Sequence, residues 1–377
     1  MLKLFIFLQI LLTGIYTPAE KPPKQLAQLT IIEINKLFQE ANAKFKSDAL
    51  TAELDSLCKN LNGSVLLAFG DSVFYKKEVG FKRLANKAPG NAINAETLFN
   101  LASISKQFTA AAILKLIDEK KLTLNDEVTK YLPFFPYTNI TIKHLLTHTS
   151  GLPEYMSFPE KDFNPKELLS NSQLERYIER VKPKILFQPG TKFKYINTNY
   201  ALLALIVEKI TKIPFEKYVR KEIFEPAGLT VSCFATELKN KTNYATGHLG
   251  NRRELPFHFQ NGVIGDKGVY TNADELYRWI KAYLIDYKVL SKNMVEQATQ
   301  PQNKILKREP EELYGFGLRI EDSINGYLIY HGGLWRGFQN VMVYRPADKY
   351  IFIVLSNLRN KALIGVNSRL LCIVDGA

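Results

Sequence analysis

Two blocks of β-forming residues stand far apart in this 377-residue chain. The first, residues 63–83 ("GSVLLAFGDSVFYKKEVGFKR"), alternates apolar and polar positions around Gly70 and Asp71, which predicts a hairpin. The second fills the last third, in "YGFGLRI", "GYLIYHGG" and "QNVMVYRPADKYIFIVLSN", short runs set apart by Gly, Asn or Pro-Ala-Asp turns. Helical patterns lie between the blocks, among them 198–212 and 214–228. Strands at both ends with helices between them predict one sheet assembled from both ends of the chain, with a mostly helical lobe inserted in the middle. Two further helices are expected, an amphipathic one at 29–45 and a closing one at 367–374. The length exceeds what one compact core usually holds, and 46% hydrophobic with 23% charged residues marks a globular chain, not a disordered or membrane-embedded one.

Residues 100–116, "NLASISKQFTAAAILKL", are apolar on nearly all sides and rich in good helix formers, so this helix belongs in the core. Its one early lysine, Lys106, needs a reason, because burying an ammonium costs several kcal/mol unless it pairs or loses its proton. Ser103 stands three residues before it, on the same helical face. Desolvation lowers a lysine pKa, and a neutral amine beside a serine hydroxyl is a base for an activated nucleophile. The plainer reading is that Ser103 caps the helix and Lys106 snorkels to water. Spacing alone does not decide, since Ser56 and Lys59 share it with no other sign of chemistry.

The start of the chain carries Lys3, an apolar run at 4–12 and small residues near 17–19, the layout of a secretory signal peptide. Export with cleavage near Ala19 is expected, ahead of a retained anchor or a buried N-terminal helix. Cys58, Cys233 and Cys372 are too scattered for a disulfide framework, and they have no metal-ligand spacing. His144 and His148 have helical spacing but lack the glutamate of a zinc-peptidase motif. The net charge of +13 is spread along the chain without a basic run, which speaks against nucleic acid and for a solvated basic surface, attracted at most to anionic wall polymer or lipid headgroups.

Three further stretches stand out. Tyr195 and Asn197 precede a helix in "KYINTNYALLALIVEKI"; His331, Gly332 and Gly333 lie on an expected strand in "LIYHGGLWRGF"; and "LLTHTSGL" is a loop after an apolar helix. "SISK", "YIN" and "HGG", in this order and separated by 92 and 136 residues, resemble the serine β-lactamase and penicillin-binding-protein superfamily. The closest likeness is to its branch related to class C β-lactamases, family VIII carboxylesterases and D-aminopeptidases. It runs from Gly63 to Asn357 and includes residues 265–284, "GDKGVYTNADELYRWIKAYL". The resemblance implies an α/β (α+β) fold, an antiparallel sheet flanked by helices, as one domain after residue 19. The sheet lobe would take about 20–100 plus 265–377, and the helical lobe about 101–264.

The resemblance also implies roles. Ser103 would be the acylated nucleophile, Lys106 its base, and Tyr195 a proton-transfer partner with a pKa lowered by neighbouring lysine charge. Asn197 would orient Lys106 and the substrate amide. The backbone N–H groups of Ser103 and Leu334 would form an oxyanion hole, where each donor is worth roughly 3–4 kcal/mol. His331, Gly332 and Gly333 would line the substrate strand, where many β-lactamases carry Lys-Thr-Gly. A mostly neutral histidine and a glycine in place of a hydroxyl residue weaken anion binding and disfavour a true β-lactamase; esterases and D-aminopeptidases of the family often have histidine here. Gly-x-Ser-x-Gly is absent from the chain, so an α/β-hydrolase triad has no anchor. His148 is expected to hold its turn together, and Trp335 and Phe338 either wall an apolar pocket or pack in the core. The expected function is an exported serine hydrolase acting on a small ester, a D-amino-acid peptide or a β-lactam-like substrate, with no cofactor. A non-catalytic binder or sensor of wall peptide is the alternative.

Overall fold

The computed structural model describes residues 48–86, 88–303, 312–323 and 326–360. The expected export signal, the helices at 29–45 and 367–374, and Cys372 lie outside these residues.

The two β blocks meet in one antiparallel sheet. The hairpin of β1 (Gly63–Phe69) and β2 (Ser72–Val79) turns at Gly70, whose φ of +53° is the left-handed conformation glycine adopts without a Cβ penalty. From the other end come β6 (Leu313–Tyr314), β7 (Arg319–Ser323), β8 (Gly326–Trp335), β9 (Phe338–Arg345) and β10 (Tyr350–Ser356). The order is β2-β1-β10-β9-β8-β7-β6, so the last strand pairs with the first, Val65 opposite Val354.

Both faces of the central strands are covered, which is why β10 reads as an unbroken apolar run. The two-residue period sorts its side chains. Ile351, Ile353 and Leu355 join Leu66 and Ala68 against the helical layer, while Phe352 and Val354 join Val65 and Leu67 against Leu54 and Cys58 of α1 (Asp48–Cys58).

The helical layer forms around α2 (Lys106–Asp118), the all-apolar helix of the sequence, which packs on α5 (Asn197–Thr211) and α6 (Phe215–Val219). Phe108 sits edge-on to Phe224 at 5.3 Å and against Trp279 at 4.5 Å; burying such a ring stabilises the fold by roughly 2–3 kcal/mol. Two short helices, α3 (Ile142–Leu146) and α4 (Asn171–Val181), complete this side. The patterns at 198–212 and 214–228 thus correspond to α5 and to α6 with its wider continuation at Arg220–Phe224.

A second, three-stranded sheet was not foreseen: β3 (Phe99–Asn100), β5 (Val269–Thr271) and β4 (Cys233–Phe234), in the order β3-β5-β4. Its strands are two or three residues long, too short for a periodic signal. They nevertheless hold the start of the "SISK" segment, because Leu101 N–H donates to Val269 O at 2.8 Å. After β5, Asn272 caps α7 (Ala273–Ile280) by accepting the Glu275 N–H, and α8 (Lys292–Ala298) leads back to the large sheet. Among the described residues no helix is long and apolar enough to cross a membrane.

Candidate active site

Ser103 lies on a single tight turn, Ala102–Ser105, that runs straight into α2. Asn100 shapes that turn: its side-chain oxygen accepts the Ala102 N–H at 2.8 Å, and its carbonyl accepts from the Asn340 side chain of β9. One turn on, Lys106 is fully buried. Its Nζ reaches Ser103 Oγ at 3.2 Å, Asn197 Oδ1 at 2.7 Å and the Asp266 carbonyl oxygen at 2.8 Å. Burial pulls its pKa down to about 8, opposed by the Asp266 and Glu154 carboxylates and helped by the Arg319 cation. The sequence-level alternative of a snorkelling lysine is not what the structure contains.

Tyr195 precedes α5 by two residues, with its ring 4.8 Å from Lys106 Nζ and 4.3 Å from the His148 ring. Its hydroxyl is buried without a full hydrogen bond. The expected lowering of its pKa by lysine charge is corrected here: burial pushes the phenol up, and the Ser103 hydroxyl and Arg319 only partly offset that. Tyr195 is therefore a neutral phenol, a proton donor and relay in form.

Asn197 opens α5. Its backbone N–H and its Nδ2 both donate to Glu154 Oε2, at 2.8 and 2.9 Å, leaving Oδ1 for Lys106. His148 ties its loop to the same place, accepting the Ile196 N–H on Nδ1 at 3.1 Å and lying 3.2 Å from Asn199 Nδ2. Burial holds both His148 and His331 well below the usual imidazole range.

Strand β8 forms the opposite wall. A Cβ on Gly333 would lie 2.1 Å from the Leu101 carbonyl, so only glycine lets this strand approach the Ser103 turn. Trp335 pairs with Phe338 across a two-residue turn, and the antiparallel alternation then points the Leu334 N–H away from β9, on the free side of β8. A cavity of about 490 Å³ opens between these elements, lined by Ser103, Tyr195, Asn197, Arg319, Gly332–Leu334 and Gln339 among others.

His331 does not reach this cavity. It is buried one layer behind, with Nε2 3.2 Å from Tyr314 Oη and Nδ1 2.6 Å from the Gly332 carbonyl oxygen. The expectation that it lines the substrate strand is corrected: β8 alternation turns its ring into the core, and Gly332 and Gly333 offer backbone to the site.

Among the described residues that line the cavity the cation is Arg319, which sequence reading missed. It lies on β7, its guanidinium 4.9 Å from the centre of the Tyr195 ring and paired with Glu312. The only hint was one charge inside the apolar run "YGFGLRI". Glu154, just after the "THTSGL" loop, and the buried pair Asp266 and Lys267 were missed as well. Trp335 and Phe338 instead border a neighbouring cavity of about 460 Å³, where the Trp335 Nε1 donates to Asn261. Among the described residues no group of three or more His, Cys, Asp or Glu is placed to hold a metal ion.

The fold is that of the serine β-lactamase and penicillin-binding-protein superfamily. The Beta-lactamase family model matches residues 54–368, and the chain belongs to that family, one of serine hydrolases. It is 31% identical over 316 residues to Penicillin-binding protein 4* of Bacillus subtilis, covering 78% of this chain and 68% of that one. Identity to Protein flp of Staphylococcus aureus is 27% over 307 residues, and the match spans 60% of that protein's length. The crystal structure of a penicillin binding protein from Bacillus halodurans superposes with a TM-score of 0.72 at 25% identity, over 85% of this chain and 99% of that one.

Proposed function

We propose that this chain is an exported serine hydrolase that cleaves an ester or amide through an acyl-enzyme on Ser103. The observation that carries the reading is the fully buried Lys106, whose Nζ lies 3.2 Å from Ser103 Oγ and whose other two contacts are neutral oxygens. Neutral Lys106 takes the Ser103 proton as Oγ attacks the substrate carbonyl. The Ser103 and Leu334 N–H groups hold the tetrahedral oxygen. The proton then passes from the Lys106 ammonium, with Tyr195 as relay, to the leaving oxygen or nitrogen. Water, deprotonated by the same pair, attacks the ester carbonyl; the acid leaves and Ser103 recovers its proton.

Arg319 bears on the substrate. Arg319 of β7 brings a guanidinium to the cavity wall; one of its nitrogens pairs with Glu312, and its remaining N–H donors suit an acyl compound with a carboxylate near the scissile bond. D-amino-acid peptides and small acidic esters are of this kind, and the apolar run at 4–12 supports action outside the cytoplasm.

Intact-mass analysis after exposure to a p-nitrophenyl ester and to a fluorophosphonate tests the reading. A covalent adduct and turnover are expected for the wild type and neither for Ser103→Ala. A folded wild type with no adduct and no turnover would leave the binding alternative standing.

A further inference from the structure

The geometry points to Glu154 as a positioning residue: through the Asn197 amide it aims the lone pair of neutral Lys106 at Ser103. The inference rests on the acylation reading above and concerns how the base is oriented.

A neutral lysine has two N–H bonds and one lone pair. Three oxygens surround Lys106 Nζ: Ser103 Oγ, Asn197 Oδ1 and the Asp266 carbonyl. The carbonyl only accepts, so it takes one N–H. Asn197 takes the second only while its oxygen, and not its NH2, faces the amine. Then the lone pair is left for the Ser103 proton. A flipped Asn197 would donate into the lone pair and abolish the base.

In the ammonium state Lys106 itself holds Asn197 in the right orientation, since an NH2 cannot face an ammonium. In the neutral, reacting state that constraint is gone, because an amine accepts as well as donates. Glu154 then supplies it: Oε2 takes both the Asn197 backbone N–H and Nδ2, and a carboxylate cannot accept the amide oxygen in their place. Glu154 is itself held at the turn Tyr155–Ser157, where Oε1 accepts the Met156 N–H at 3.3 Å.

Glu154 also acts on Lys106 by charge. Asp266 and Lys267 face Lys106 from the loop before β5, Arg319 from β7 and His331 from β8. His148 faces it from the loop after α3, and Tyr195 and Tyr200 from the start of α5. Of these Asp266 and Glu154 hold the ammonium form, so removing the Glu154 charge lowers the Lys106 pKa and moves the acid limb of acylation to lower pH.

The experiment measures the rate of Ser103 phosphonylation by a fluorophosphonate, with fluoride as the leaving group, across pH for wild type, Glu154→Gln, Glu154→Asp, Asn197→Ala and the double variant Glu154→Gln/Asn197→Ala. In parallel, NMR of 13C-lysine-labelled protein follows the Lys106 titration. Glutamine accepts and donates, so both amide orientations become available. Glu154→Gln is expected to lower the high-pH plateau by about ten- to a hundredfold, with the acid limb and the Lys106 midpoint both moved to lower pH. In the Asn197→Ala background the same change should lower the plateau less than about twofold. Glu154→Asp keeps an accept-only group and should recover part of the plateau.

An unchanged plateau in Glu154→Gln would overturn the inference, as would equal losses in both backgrounds or no recovery in Glu154→Asp. A lower plateau with an unmoved limb would do the same, since loss of folded protein scales the rate without moving a pKa. Absence of any Ser103 adduct in wild type would instead sink the hydrolase reading. The Lys106 midpoint then decides alone: lowered in Glu154→Gln, it supports the coupling; unmoved, it overturns it.

Discussion

Two lysines are buried within one small region, and they are solvated in opposite ways. Lys106 meets three neutral oxygens and no carboxylate at contact distance. Lys267, next in the chain to the Asp266 whose carbonyl Lys106 contacts, lies 3.3 Å from Asp266 Oδ2, hydrogen-bonds Tyr155, and has the Trp335 and Tyr155 rings within 4.9 and 5.0 Å. Desolvation lowers both pKa values and two aromatic rings face each amine, but of the two only Lys267 has a carboxylate at contact distance to keep it charged. A buried lysine meant to lose its proton is given neutral acceptors alone. One meant to keep it is given a carboxylate.

The comparison breaks most visibly in activity. Lys106→Met is expected to slow acylation of Ser103 by at least about a thousandfold, measured by adduct mass against time, whereas Lys267→Met should leave the adduct forming within about tenfold of wild type. Comparable losses in both would erase the distinction.

Stability should divide the other way. Lys267→Met leaves the buried Asp266 carboxylate without its cation and should cost about 3–5 kcal/mol in urea unfolding. Lys106→Met relieves about 3 kcal/mol of desolvation, read from a pKa brought from 10.5 to about 8. Unpairing Asn197 Oδ1 and the Asp266 carbonyl offsets this, so the net change should be under about 1 kcal/mol.

Arg319 sharpens the picture of charge at the site. Arg319→Gln is predicted to raise KM about tenfold for carboxylate-bearing esters and to leave neutral esters within about twofold, at fixed salt. A loss independent of substrate charge would mean that Arg319 serves the Tyr195 ring alone.

The smallest effect is a pH profile. If neutral Lys106 is the base, kcat/KM rises with pH and levels off above about 8. The sign for stability is the same: the folded pKa lies below the unfolded one, so the unfolded chain binds more protons. Stability therefore increases as pH rises through the folded pKa toward the unfolded value. In Lys106→Met both limbs should vanish.

The comparison also shows what could be read early. Lys106 was legible because a charge opens a helix that is apolar over its next two turns, with a serine one turn before it. Lys267 sits in "GDKG", where a charge raises no question, and its burial depends on Trp335 and Tyr155, more than sixty residues away in either direction. Arg319 and Glu154 were missed for the same reason. The error over Tyr195 is of another kind: nearby charge was anticipated, but desolvation is larger and depends on how many atoms surround the hydroxyl. His331 was placed on the right strand and given the wrong side.

The sequence by itself determined the elements that local chemistry specifies: the two β blocks, the buried helix, and Ser103, Lys106, Tyr195 and Asn197 in order along the chain. Periodicity and short spacings are properties of neighbouring residues, so they survive without the fold. Only the tertiary structure decided which face of β8 meets the cavity, that the cation comes from β7, and that Glu154 holds the amide opposite Lys106. Those depend on strand register and on long-range packing, where residues 43 positions apart, such as Glu154 and Asn197, come within 3 Å. Burial and hydrogen-bond pairing, which set proton affinity, exist only once those distant segments have met.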